Sequence, residues 1–111
     1  MEKCNFEDGT IGYSVFYKDI EFKHLEEWKS FYFLETGNDF ETLYRLITDG
    51  FSNPPKNDII IELPKGSVHL HFEKNMGVIS FQFIHFPLNS TAVMGRSPYL
   101  TKRQIDKLFG K

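Results

Sequence analysis

The sequence predicts a single α+β domain built mainly on an antiparallel sheet of about five to seven strands. One well-defined helix is expected near residues 39–49 and a short C-terminal helix near residues 102–109. Three observations lead to this fold class. The chain has 111 residues, which suits one domain spanning 1–111. Its twelve Phe, five Tyr and one Trp favour strands. Runs of alternating residues are separated by turn residues.

The first element is predicted to be a strand over residues 10–17, because apolar and smaller side chains alternate along it. Residues 20–22 alternate again, and we expect them to form the returning arm of a hairpin. Residues 24–34 fit both a helical stripe and a buried strand. We divide them into a short helix over 25–29 and a strand over 30–35.

The clearest helix signal is an apolar stripe at i, i+3, i+4 and i+7, formed by Phe40, Leu43, Tyr44 and Ile47. Asn38 is expected to cap this helix, with Glu41 completing a capping box. Gly50 suits the left-handed residue past the end of the helix. The prolines that follow predict a loop over 51–55.

A three-stranded meander is predicted over residues 58–63, 67–73 and 78–86. The two connecting turns contain Gly66 and Gly77, which can adopt positive φ.

The C-terminal helix carries its own end signals. Thr101 and Gln104 are spaced as a capping box, and Leu100 with Ile105 is spaced as a hydrophobic staple. Leu108 and Phe109 are expected to face inward.

The strongest candidate for metal chemistry is a set of three side chains on one predicted strand face: His69, His71 and Glu73. Two His and one carboxylate form a known arrangement for iron or zinc, and His85 on the next strand could join them. The same alternation is typical of a solvated sheet face or of a pH-sensitive interface. We therefore expect no metal and no cofactor, and keep a metal-dependent enzyme as the alternative hypothesis.

No other catalytic constellation is found in the sequence. Cys4 lies in a polar N-terminal stretch, no Gly-x-Ser-x-Gly motif occurs, and the adjacent Glu26 and Glu27 would diverge. Residues 9–12 lack the lysine and the spacing of a phosphate loop. We predict no catalytic residue and no enzymatic activity.

Cysteine usage and hydropathy bear on localisation. A single cysteine cannot close an intramolecular disulfide, and the N-terminus has no secretory pattern. No apolar run approaches the roughly 20 residues that span a bilayer. We expect a cytoplasmic protein that is not in the membrane.

Charge is distributed unevenly. Residues 1–50 hold eleven acidic and five basic side chains, a net charge of −6, whereas residues 51–111 hold four acidic and eight basic side chains, a net charge of +4. If the halves form different faces, the acidic face would attract a basic protein. Alternatively, both signs interleave and serve solubility.

A small basic and aromatic patch could contact RNA. It consists of Arg96, Tyr99, Lys102 and Arg103. Basic side chains near a helix more often complement its dipole or stay solvated, so nucleic acid is not the expected partner.

Some strands present large apolar residues on both faces, as with Phe16 beside Tyr17 and Ile84 beside Phe83. One helix layer covers one side of a sheet. The second side is then covered by the C-terminal helix or left for a partner protein.

The sequence resembles the small immunity proteins of bacterial contact-dependent growth-inhibition systems. The features that carry this resemblance are the acidic first half and three segments: NDFETLYRLI at 38–47, KNDIIIEL at 56–63 and SPYLTKRQIDKLF at 97–109. The resemblance is one of general character over the whole chain, because these proteins share no functional motif.

The resemblance implies a non-enzymatic protein that occludes a cognate toxin domain, often a nuclease with a basic cleft. For such a partner the sequence suggests one contact set: Glu26, Glu27, Trp28, Asp39 and Glu41. A structural or assembly subunit remains a further alternative, and the oligomeric state stays open.

Overall fold

The N-terminal third forms a three-stranded antiparallel sheet, here called the N-terminal sheet. It contains β1 (Glu2–Asn5), β2 (Ile11–Lys18) and β3 (Trp28–Leu34), in the order β1-β2-β3. The computed structural model describes residues 1–21, 27–90 and 92–111. The predicted strand over 10–17 is confirmed, whereas β1 was not predicted.

The hairpin partner of β2 differs from the prediction. Ile20 and Glu21 lie outside any strand, and β2 pairs with β3. The Ile20 N–H donates to the carbonyl oxygen of Arg96, 2.9 Å away. This hydrogen bond ties Ile20 to the second half of the chain instead of to a hairpin partner.

The predicted helix over 25–29 is wrong at Trp28 and Lys29, because both residues are paired with β2 inside β3. Long-range pairing overrides the weak helical stripe there. Residues 22–26, which include part of the predicted hairpin arm and part of this helix, lie outside the described residues.

The predicted central helix is confirmed as α1 (Asp39–Ser52), which extends three residues past its expected end. Gly50 is buried inside α1, so the prediction that it follows the helix is wrong. The predicted cap is also wrong, because Asn38 makes no capping hydrogen bond. A Glu35 carboxylate oxygen accepts from the N–H groups of Asp39 (2.6 Å) and Phe40 (3.3 Å) in its place.

The second half forms a four-stranded antiparallel sheet, here called the C-terminal sheet, in sequential order. Its strands are β4 (Ile59–Leu63), β5 (Gly66–Asn75), β6 (Val78–Pro87) and β7 (Gly95–Arg96). The predicted meander is therefore confirmed, with seven strands divided between two sheets.

The turn and cap signals of the second half are confirmed. Gly66 and Gly77 have φ of 144° and 82°. The C-terminal helix, α2 (Lys102–Leu108), has its capping box, in which the Thr101 hydroxyl accepts from the Gln104 N–H.

The core lies between the inner faces of the two sheets, with both helices contributing. The single domain predicted from the sequence is α+β, as expected. Its fully or nearly buried apolar side chains come from six elements and the C-terminus: Val15, Tyr17, Phe31, Phe33, Leu43, Ile47, Val68, Leu70, Phe81, Phe83, Ile105 and Phe109.

A buried polar cluster joins the two sheets at one end of the core. The Asp19 carboxylate lies 2.8 Å from Lys29 Nζ and accepts from the Arg96 N–H. Nearby, Tyr17 Oη lies 2.8 Å from His85 Nδ1. Burial lowers the pKa of His85, with the Lys29 charge adding to the effect, so the imidazole is neutral at pH 7. Among the described residues, no buried side-chain nitrogen or oxygen lacks a partner.

Candidate functional site

The two faces of the N-terminal sheet differ in exposure. Odd-numbered residues of β2 and β3, such as Val15 and Phe31, point into the core. Even-numbered residues point away from it, because side chains alternate along a strand. The outward side chains include Phe16, Trp28 and Tyr32, and no helix of the described chain covers them.

Four aromatic side chains form a strip on this outward side, here called the outer aromatic face: Phe6, Phe16, Trp28 and Tyr32. Phe16 is directly opposite Ser30, which places it diagonally between Trp28 and Tyr32. Diagonal neighbours are about 7–8 Å apart, within reach of aromatic side chains. The Phe6 and Tyr32 rings are 5.9 Å apart. Phe16 thus lies between Trp28 and the Tyr32–Phe6 pair in this strip.

The outer aromatic face is exposed to solvent to an unusual degree for such large apolar side chains. Trp28 is 71% exposed, Phe16 47% and Phe6 39%. Contiguous exposed apolar surface of this kind is typical of protein interaction sites. Trp and Tyr are also the residues most enriched among those that dominate binding energy.

Acidic side chains border the outer aromatic face at its Phe6 end, where Glu7 and Asp8 follow Phe6 and Glu2, opposite Ser14, projects from β1. At the other end Lys18 lies directly opposite Trp28 on the same face, while Glu27 approaches Lys29 on the inner side. Within the described part of the chain, no basic nitrogen lies within 4.0 Å of Glu2, Glu7 or Asp8, and Glu27 reaches Lys29 only at 4.0 Å. A hydrogen bond from Thr10 holds the pKa of Asp8 below its ordinary value. The border is therefore anionic at neutral pH.

The structure brings only part of the sequence-predicted contact set together. Glu27 and Trp28 are adjacent and exposed at the start of β3. Asp39 and Glu41 lie on α1, which packs on the inner side of the N-terminal sheet, where Phe40 contacts Tyr13.

Both α1 carboxylates have local partners. The Asp39 carboxylate accepts from the Thr36 N–H at 2.8 Å, and Glu41 pairs with Lys111 at 2.6 Å. Glu26 lies outside the described residues.

The residues of the metal hypothesis lie on the outer face of the C-terminal sheet, where they form a hydrogen-bonded network. His71 Nδ1 is 2.7 Å from Asp58 Oδ1, and His71 Nε2 is 3.0 Å from Glu73 Oε1. Tyr99 Oη donates to the same Glu73 oxygen at 2.9 Å. His69 lies 3.8 Å from Asp58 Oδ2.

A metal ligand needs an imidazole nitrogen with a free lone pair, whereas both nitrogens of His71 face carboxylates. Burial lowers the pKa of His71, but the hydrogen bonds to Glu73 and Asp58 outweigh burial and raise it above 6.5. The geometry favours a protonated imidazole that donates twice. Across residues 1–21, 27–90 and 92–111, no group of three or more His, Cys, Asp or Glu is placed to hold a metal ion.

The basic and aromatic patch considered for RNA is engaged in contacts within the chain. Arg96 pairs with Glu21, Lys102 pairs with Asp106 at 3.1 Å, and Tyr99 donates to Glu73. These contacts satisfy the polar groups of three of its four members internally.

Two members of the outer aromatic face, Phe6 and Tyr32, were not identified from the sequence. The signal for Tyr32 was present, because it follows Trp28 and Ser30 in a strand-like alternation. Phe6 joins the face only through its packing over Gly12, where an added Cβ would lie 3.0 Å from the Phe6 ring. That contact depends on the pairing of β1 with β2.

Comparison of the chain with protein-family models, with curated proteins and with solved structures found no match. The helices of the described residues are all too short or too polar to cross a membrane.

Proposed function

We propose that the chain is a non-enzymatic protein-binding domain that neutralises a cognate toxin domain by occluding it, as an immunity protein does. The observation that carries this proposal is the outer aromatic face, with Trp28 71% exposed at one end. Large aromatic side chains supply binding energy when a partner removes them from water.

The acidic border supports a basic protein domain as the partner. Glu2, Glu7 and Asp8 border the Phe6 end of the aromatic strip, and they belong to the half of the chain with a net charge of −6. A nuclease toxin suits this border, because a protein that binds nucleic acid carries basic side chains for the phosphates. Complementary charge also speeds association and selects the partner.

The proposed contact set differs from the one suggested by the sequence alone. Trp28 is retained, and Phe16, Tyr32 and Phe6 join it from the same face, whereas Glu27 is left out because it approaches Lys29 on the inner side. Asp39 and Glu41 are left out, because they lie on α1, on the inner side of the N-terminal sheet, and are paired there.

A growth-rescue experiment tests the proposal. The gene beside that of the chain is cloned, the C-terminal domain of its product is co-expressed with the chain in bacteria, and growth is measured. We expect wild-type chain to restore growth, and a Trp28→Ala, Phe16→Ser variant to lose protection because two of the most exposed aromatic anchors are missing.

The matched control is Ile60→Ser, which removes a side chain that is 61% exposed on the outer face of the C-terminal sheet. This variant should protect as well as wild type, with thermal melts confirming that all variants fold. Failure of the wild-type chain to protect, or equal protection by all three proteins, would contradict the proposal.

A further inference from the structure

A second feature of the N-terminal sheet is an open strand edge. β1 pairs only with residues 11–14 of β2, so among residues 1–21, 27–90 and 92–111 the half of β2 that runs from Val15 to Lys18 has a strand neighbour on the β3 side alone. Hydrogen bonds between Asp19 and Glu27 and between Ile11 and Glu35 show that odd-numbered residues of β2 bond to β3.

The main-chain groups of the even-numbered residues therefore point to the other edge. Phe16 and Lys18 direct their N–H and C=O groups there, past the end of β1. Within the described residues, no hydrogen bond reaches these groups from a loop or side chain. An unpaired edge of this kind can accept another strand.

A groove of about 410 Å³ runs beside this open edge. One wall is β2 with Trp28, and the opposite wall is formed by Leu100 and by α2, whose Gln104, Lys107 and Leu108 face it at i, i+3 and i+4. The floor is apolar. A volume of this size falls within the range of binding pockets in proteins.

The groove is lined by basic side chains, so it favours a negatively charged ligand, whereas the acidic border of the outer aromatic face favours a positively charged one. Its two charged lining residues are Lys18 and Lys107. Among the described residues, no carboxylate lies within 4.0 Å of either ammonium group. Both cations are therefore available to a carboxylate on a ligand.

We propose that this groove binds an extended peptide segment that adds to the N-terminal sheet along Phe16–Lys18. Its main chain pairs with the open edge of β2, and its alternate apolar side chains enter the groove beside Leu100 and Leu108. Carboxylates between them reach Lys18 and Lys107. The groove shares Phe16 and Trp28 with the outer aromatic face but opens at the edge of the sheet, and its binding of a peptide does not depend on the proposed function.

Binding of synthetic peptide libraries to the full chain tests this site. One library of seven-residue peptides carries randomised apolar residues at alternate positions with glutamate between them, and a matched library carries lysine there. We expect the glutamate library to yield binders. Lys18→Glu with Lys107→Glu should weaken the best peptide at least about tenfold, because both charge contacts reverse. The matched control, Lys56→Glu with Lys74→Glu, should leave binding unchanged.

Two further readouts are specific to strand addition. In the complex, the Phe16 and Lys18 amides should become protected from hydrogen exchange. Methylation of peptide nitrogens should abolish binding at every second position, because only alternate N–H groups face β2. The proposal is overturned if neither library binds at 1 mM peptide, if lysine peptides bind equally well, or if methylation effects show no period of two.

Discussion

The absence of a side chain at Gly50 allows α1 to pack closely against Phe72 of β5. A Cβ added to Gly50 would lie 2.1 Å from Phe72 Cζ, too close for any real contact. The Phe72 ring cannot retreat freely, because it packs 5.6 Å from Phe51 and 5.1 Å from Phe81. Glycine at this position is therefore required by packing, even though glycine is unfavourable inside a helix.

Gly50→Ala should lower the free energy of unfolding by about 1–3 kcal/mol through overpacking. The gain of about 1 kcal/mol in helix propensity does not offset the clash. Gly37→Ala is the matched control, because no atom lies within 4 Å of its added Cβ. It should change stability by less than about 0.5 kcal/mol. Urea denaturation measures both, and equal stability of the two variants would contradict the packing argument.

The fold shifts the pKa values of His71 and His85 in opposite directions from 6.5. The carboxylates of Glu73 and Asp58 raise the pKa of His71 above 6.5 despite burial, whereas burial lowers the pKa of His85 below 6.5. Protonated His71 therefore adds stability that is full below pH 6.5 and is lost as the pH rises through its folded pKa. Neutral His85 has the reverse effect, since stability falls as the pH drops below 6.5.

NMR titration of the imidazole protons should place the midpoint of His71 above 6.5 and that of His85 below it. Correspondingly, His71→Asn should reduce stability more at pH 6 than at pH 9, because the lost network is charged only at the lower pH. A stability loss that is the same at both values, or a His71 midpoint below 6.5, would show that the two carboxylate contacts are absent in solution.

At the scale of elements, the start of α1 depends on a residue that precedes the expected cap. The Glu35 carboxylate satisfies the N–H groups of Asp39 and Phe40, which have no acceptor within the helix. Glu35→Ala should cost about 1 kcal/mol, the usual value of a lost cap. Asn38→Ala should have little effect, because the Asn38 side chain makes no capping bond. Chemical denaturation showing a larger loss for Asn38→Ala would refute this assignment.

Elements with local signals were predicted well. The stripe of α1, the glycine turns of the meander and the capping box of α2 all depend on residues close in sequence. The failures involve distant partners. β1 has a polar sequence, and only its pairing with β2 makes it a strand. In the sequence, Gly50 has the position of a glycine that ends a helix. Its actual role, close packing against Phe72, depends on a residue that is distant in sequence.

At the scale of the whole molecule, the charge asymmetry of the sequence becomes an asymmetry between layers. The three strands of the N-terminal sheet come from the acidic first half, while the basic second half supplies the C-terminal sheet and α2. The sequence could predict the acidic half and could name Trp28 as a candidate contact residue. It could not predict which acids share a face, because that depends on the register of β2 with β3.

The acidic border should make association with the toxin domain dependent on salt. Raising ionic strength from 0.05 to 0.5 M should slow association by about tenfold or more, because steering charges become screened. Glu7→Lys with Asp8→Lys should slow association at low salt. Asp49→Lys with Glu62→Lys, which changes charge equally elsewhere, should have a smaller effect. Stopped-flow rates that are insensitive to salt would exclude steering by this border.

The affinity of the Trp28→Ala variant for the toxin domain, measured by titration calorimetry, tests the central claim most directly. Trp28 is exposed in the free chain, so its removal should leave stability unchanged within about 0.5 kcal/mol. Loss of the most exposed aromatic anchor of the face should weaken binding by at least about 2 kcal/mol, or roughly thirtyfold. Unchanged affinity for Trp28→Ala, together with weakened binding by Ile60→Ser, would place the interface on the other sheet.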